Sequence, residues 1–257
     1  MEFGLCTLLC NTSLRPYSVV LENVSNFEEW KLREGDSFSL SASQICSEKT
    51  PILLLDNAQK VNLKLDITQR LQGDIEEKMK IIAEAVYYGG SHQGLAPLLS
   101  SESFSIKENH YSSFLRPRID AFCSAMRQDD LEQIRVCTTR IAGCGPGLTP
   151  SADDFICGFL SVWAACDEAG PKLAESKIKT VANEAALHTN TVSASFLRNS
   201  AQSLYSLDIL EFVKTLLEEP DADDLRDACK KVMQFGAASG TDYLCGVYFA
   251  LGELHTR

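Results

Sequence analysis

Two copies of one short pattern carry the residues of this sequence best suited to chemistry. Ser151-Ala-Asp-Asp154-Phe-Ile-Cys-Gly158 and Ser239-Gly-Thr-Asp242-Tyr-Leu-Cys-Gly246 share the form Ser-x-x-Asp-aromatic-aliphatic-Cys-Gly. The first follows a glycine- and proline-rich run, Gly143-Cys-Gly-Pro-Gly-Leu-Thr-Pro150. Gly145 and Gly147 reach backbone angles closed to other residues and let a ligand approach the main chain. Both copies run into apolar segments that read as helices. Each Ser is expected to cap its helix, with the Asp three residues on completing an acidic capping box. Two helix starts with free amides, one below a glycine turn, suit a small anion or a metal-bound anion. No Lys follows the glycines and their spacing is not the dinucleotide fingerprint, so neither nucleotide loop is present.

The acids set the chemistry. If Asp154 caps together with Ser151, Asp153 is free to face a pocket, to bond a substrate amide or to ligate Mg²⁺. If the two motif helices lie side by side, Asp154 and Asp242 come together, and such a pair needs a cation or a shared proton. Asp153, Asp154 and Asp242 are therefore the candidate catalytic residues, and the candidate ligands if magnesium is used. The plainer alternative is that these acids only favour the positive helix ends, worth about 0.3–1 kcal/mol each. Gly145, Gly147, Thr149, Ser151, Ser239 and Gly240 are the substrate-binding candidates around them. A second polar cluster runs from His188 to Arg198, where Thr191, Ser195 and Arg198 share one helical face. Arg198 there is a bidentate clamp for a carboxylate or carbamoyl group; the alternative is a cap at Thr189 or Asn190 and a solvated helix. Arg116, Arg118 and Arg140 are less specific anion clamps. His92 and His110 form no usable spacing, and no nucleophile elbow or HExxH motif occurs.

The elements that must position these residues change character along the 257-residue chain. The first 72 residues are strand-rich, with runs at 18–22, 37–41, 51–56 and 61–66 separated by turn formers such as Asn23, Asn26 and Gly35-Asp36. A small sheet or partly closed barrel satisfies that pattern. From 73 onward the period becomes helical. Ile75, Met79, Ile82 and Val86 form one stripe ended by Gly89-Gly90, and a loop spans about 91–116. One or two helices fill 119–141, with a break near Asp129-Asp130. Further helices follow at 153–166, 171–187, 191–203, 209–217, 222–234 and 241–253. The expected fold is α+β, a strand-rich, barrel-like domain at 1–72 followed by a mainly helical domain at 73–257.

The formal charge of −11 argues against nucleic acid and anionic membrane surfaces as partners. Nothing approaches the ~18 apolar residues of a membrane span, and the N-terminus lacks the form of a signal peptide. Ten cysteines without paired spacings read as reduced thiols in the cytoplasm rather than a zinc cluster. Self-association is compatible with all of this.

The string Gly145-Pro-Gly-Leu-Thr-Pro-Ser-Ala-Asp-Asp154 resembles the Gly-x-Gly-Leu-Thr-Pro-Ser-Gly-Asp-Asp signature of the AllH family, with Ala152 in place of the usual Gly. The resemblance extends to Thr191-x-Ser193 and to Ser239-Gly-Thr-Asp242, and so covers roughly 140–250. It adds Thr191 and Ser193 to the substrate-binding candidates. It implies a subunit of oxamate carbamoyltransferase, which joins carbamoyl phosphate and oxamate to give oxalurate and phosphate in purine (allantoin) catabolism. It also implies companion subunits and small anionic substrates. Two other functions suit the same residues. One is a Mg²⁺-dependent hydrolase built on Asp153, Asp154 and Asp242; the other is a non-catalytic subunit that senses a metabolite.

Overall fold

The computed structural model describes residues 7–10, 13–21, 24, 27–99, 104–128, 130–166 and 170–255. Asn23, Asn26 and Asp129, read as turn or break positions, lie outside them.

Among the described residues the strand-rich region forms no closed sheet and so no barrel. β1 (Thr7–Cys10) and β2 (Ser18–Leu21) pair in parallel, while β3 (Ser39–Leu40), β4 (Gln44–Ser47) and β5 (Thr50–Leu54) form a separate antiparallel meander. Strands this short leave little apolar surface to join two sheets: Leu40 and Leu54 are exposed, and only Ile45 and Leu63 are buried apolar residues among those described before 73. The expected strand at 61–66 serves the helical part instead. Its alternation buries Leu63, and its backbone meets the 203–205 segment through Leu65 N–H to Ser203 O at 2.8 Å and Tyr205 N–H to Leu63 O at 3.1 Å.

The helical region follows from local signals. In α1 (Ile75–Gly89) the Asp74 carboxylate caps the amides of Glu76 and Glu77, and Ile82 and Val86 are fully buried. The expected loop at 91–116 is shorter than read, because α2 (His110–Arg127) starts early and carries Pro117 inside it. Asn109 and Ser112 make a reciprocal capping box there, strong enough to start a helix upstream of the proline. α3 (Leu131–Thr139) is capped by Asp130, α5 (Pro171–Ala185) starts on proline, and Asn190 caps α6 (Thr191–Ser200). α7 (Leu207–Leu217) and α8 (Ala222–Met233) complete the shell.

The centre is made by the two motif helices, α4 (Ser151–Cys166) and α9 (Ser239–His255). Both are apolar nearly all round, as an enclosed helix must be. On α4, Phe155, Ile156, Phe159, Leu160 and Trp163 are buried, as are Leu244, Val247, Ala250 and Leu251 on α9. Phe159 stacks on Trp163 with ring centroids 5.1 Å apart.

The repeated pattern is first of all a crossing device. A Cβ placed on Gly158 would come within 2.0 Å of the Tyr243 carbonyl oxygen. One placed on Gly246 would come within 2.0 Å of the Phe155 carbonyl oxygen. Gly158 and Gly246 close their copies, and Phe155 and Tyr243 are the aromatics within them. Each copy's glycine therefore meets the backbone of the other copy's aromatic, the reciprocity of a local two-fold. Two helices at backbone contact leave no space for a side chain, which explains why glycine ends both copies.

Candidate functional site

The polar ends of the two copies meet at the same crossing. The serines do not form capping boxes within their own helices. The Asp154 carboxyl is met by the Ser239 hydroxyl and by Thr149, and the Asp242 carboxyl by the Ser151 hydroxyl. The bonds run between the helices, a consequence of the crossing that places each serine against the other copy's acid. Thr149 and Ser239 close the ring with a hydroxyl–hydroxyl bond of 2.8 Å.

The helix-start amides are also largely in use. Ala152 N–H donates to Cys144 O at 2.9 Å, and the amides of Asp153 and Asp154 both reach Pro150 O. On α9, Gly240 N–H donates to Phe235 O and Asp242 N–H to Ala238 O. The glycine run thus folds back to cap α4. Gly145 lies so close that a Cβ on it would sit 2.2 Å from Ser151 N, with φ +137, whereas Gly147, with φ +85, borders open space. The expected pair of open amide cradles is not what the turn builds.

Asp153 and Asp154 exchange their expected roles. Asp153 is buried, and its oxygens accept from Gly143 N–H at 2.7 Å, from the Thr189 hydroxyl, and from the Ser193 hydroxyl at 2.7 Å. It ties the glycine turn, the α5–α6 connection and α6 to α4. Gly143 fits there because a Cβ would come 2.4 Å from His188 O. Replacing Asp153 by alanine orphans three donors at once. We expect a loss of about 3 kcal/mol, read as a lower urea midpoint; an unchanged midpoint would contradict this role.

Asp154 instead holds the open valence. Its Oδ2 is buried and has no hydrogen-bond partner among the described residues. Burial pushes its carboxyl well above the usual range, and the nearby Asp242 and Asp153 push it further, against the donors Ser239 and Thr149. Asp242 is pushed up to about 6, again by burial, with Leu95 N–H and Ser151 holding it down. The Leu95 amide donates to Asp242 Oδ1 at 2.6 Å. Gly94 permits this approach, since a Cβ there would stand 2.1 Å from that oxygen. Both carboxyls are thus held above the usual carboxylate range, and two acids this close titrate as a coupled pair that favours a shared proton over two charges.

A raised carboxyl pKa has a definite sign in stability. Between about pH 4 and 6 the folded Asp242 keeps a proton that the unfolded chain releases. The Asp242 contribution to stability therefore falls as pH rises through that window and levels off above it. We expect Asp242→Asn to remove this fall, worth up to about 3 kcal/mol, in the difference between the two proteins' pH–stability curves. Parallel curves would contradict it.

The remaining candidates separate. Ser193 joins Asp153, while Thr191 and Arg198 are exposed and Arg198 lines a cleft with Arg135 and Lys179. Arg116 is paired to Glu108 and Arg140 is exposed. Arg118 lies over the Phe114 ring at 3.7 Å and close enough to Cys144 to offset part of the rise that burial gives that thiol's pKa, so it flanks the glycine run. Among the described residues no three His, Cys, Asp or Glu side chains come together to hold a metal ion. The magnesium set of Asp153, Asp154 and Asp242 is thus not assembled, because Asp153 is spent on the chain's own donors. The cysteines whose side chains are described are free thiols. No described helix is long and apolar enough to cross a membrane.

Sequence reasoning missed Gly94 and the Leu95 amide, which hold Asp242, and weighed Thr189 only as a cap. A lone glycine in a serine-rich loop gives no signal, since its partner lies 148 positions on.

The segment from the glycine turn to α9 also has a counterpart among known families. Residues 141–251 match the model of a family described as oxamate carbamoyltransferase subunit AllH. The AllH resemblance holds. The matched AllH segment contains Asp153, Asp154, Asp242, the whole glycine run from Gly143 and both crossing glycines, but not Gly94 or Arg118. No curated protein and no solved structure matches the chain.

Proposed function

We propose that this chain is a subunit of a cytoplasmic carbamoyltransferase that joins carbamoyl phosphate and oxamate to give oxalurate and phosphate in purine (allantoin) catabolism. The observation that carries the reading is the buried, unpartnered Oδ2 of Asp154 within the AllH-matched segment. A neutral carboxyl donates through O–H and accepts through C=O, the complement of a primary amide, which does the reverse. Both substrates carry such a group, the carbamoyl of one and the amide of the other. A doubly ionised pair would repel these anions; a pair with one proton repels them less.

The chemistry asks little more of the protein. The oxamate nitrogen attacks the carbamoyl carbon, the C–O bond to phosphate breaks, and phosphate leaves with the electron pair. One proton leaves the attacking nitrogen, and the half-protonated Asp154–Asp242 pair has room for it. Thr149, Ser151 and Ser239 hold the two carboxyls in place, and Gly147 leaves its side of the glycine turn open. Arg118 beside the glycine run is a candidate for the phosphate, with further cations supplied by companion subunits. Positioning then carries most of the acceleration.

Oxamate-dependent release of phosphate from carbamoyl phosphate, measured with the companion subunits present, tests the proposal. Turnover without added Mg²⁺ supports it. Hydrolysis that ignores oxamate, or tight Mg²⁺ binding on which all activity depends, would replace it with the hydrolase reading. Anion binding with no turnover in the full complex would leave a sensing subunit.

A further inference from the structure

Away from the carboxyl pair, α3, α5 and α6 enclose a surface cleft of about 430 Å³ lined by Arg135, Lys179, Arg198, Glu184, the α5 polar residues Ser176, Thr180 and Asn183, and Leu187. Its charge is unusual for this chain. Acidic residues outnumber basic ones 35 to 24 overall, yet three cations and one carboxylate face this cleft. Two of the cations are partly neutralised: Arg135 pairs with Glu132 and Glu184, and Lys179 with Glu175. Arg198 differs, because its guanidinium has no carboxylate partner and donates no hydrogen bond among the described residues.

The wall opposite is equally unspent. Ser176, Thr180 and Asn183 recur at three- and four-residue steps, which places them in one row along α5. Ser176 and Thr180 are half-buried, and none of the three side chains makes a hydrogen bond among the described residues. A free guanidinium, a lysine and a row of unused hydroxyl and amide groups converge on one space.

We propose that this cleft is a binding site for a small oxyanion, a carboxylate or a phosphate ester, clamped by Arg198 and Lys179. The planar guanidinium takes two anion oxygens at once, and the α5 hydroxyls and amide complete the shell. Leu187, 72% exposed at the rim, covers the apolar part of a larger ligand. The site is separate from the Asp154–Asp242 pair and does not depend on the carbamoyltransferase reading.

Calorimetric titration of the chain with inorganic phosphate, and separately with oxalate, tests it. One of the two anions will bind, and whichever binds more tightly identifies the phosphate or the carboxylate class. Arg198→Ala will weaken that binding about tenfold or more, with an unchanged melting temperature because the side chain is exposed. Arg33→Ala removes an exposed arginine outside the cleft and will leave the affinity unchanged. Absence of binding by both anions at about 10 mM, an Arg198→Ala affinity equal to that of the unsubstituted chain, or an equal loss in Arg33→Ala would overturn the proposal.

Discussion

Gly158→Ala will destabilise the protein by about 2 kcal/mol, although alanine is the better helix former. Intrinsic propensity alone favours alanine by about 1 kcal/mol in a helix interior. Against it stands the contact: the new methyl would meet the Tyr243 carbonyl oxygen at 2.0 Å, well inside van der Waals separation. Neither partner is a flexible side-chain end, so the α4 and α9 axes must separate and the aromatic packing on both helices loosens. Overpacking of this kind costs about 1–3 kcal/mol, and a backbone obstacle places it at or beyond the upper end. The sum stays destabilising, and Gly246→Ala will behave alike because the contact is reciprocal. Gly252 on the same helix supplies the control. A Cβ there meets only the Met79 methyl at 3.4 Å, so Gly252→Ala will be neutral or mildly stabilising. Urea unfolding reads all three. Gly158→Ala within about 0.5 kcal/mol of the unsubstituted protein would mean that the helices do not cross at these glycines.

Asp154→Asn will separate function from fold. The carboxyl is buried, its Oδ2 has no partner, and Asp242 beside it adds repulsion. Burial penalises the ionised form of this acid, a cost the unfolded chain does not meet; asparagine carries no such penalty, so stability will hold or rise. Asparagine still accepts a bond from Ser239, so the geometry at the crossing survives. What it loses is the O–H donor and the ability to exchange a proton. Groups in that role contribute about 10²–10⁴ to rate. Turnover should therefore fall by at least about 10² in a protein whose unfolding midpoint has not fallen. Asp153→Asn is expected to show the opposite balance, since that residue's oxygens are filled by Gly143, Thr189 and Ser193.

The helices were legible because their signals are local. Asp74, Asp130, Asn190 and Asp221 each cap the helix they precede, and sequence spacing locates them to within a residue or two. The Ser-x-x-Asp repeat was visible for the same reason, and so was the conditional meeting of Asp154 with Asp242. Its partners were not. The pattern of a capping box is the same whether serine bonds its own helix or the neighbour's, and only the crossing geometry decides between them. The barrel reading failed because alternation at 61–66 records burial of Leu63 and Leu65 but not against what, and that surface is the 203–205 segment. Gly94 escaped notice because its reason for being glycine is a carboxylate on a distant helix.

The most direct test of the account is the rate of oxamate-dependent phosphate release from carbamoyl phosphate by the complete complex carrying Asp154→Asn. A rate reduced by at least about 10², with the complex assembled and the urea midpoint of the chain unchanged or higher, is the predicted result. Turnover equal to that of the unsubstituted complex would show that the buried carboxyl pair at the α4–α9 crossing is not the reaction centre.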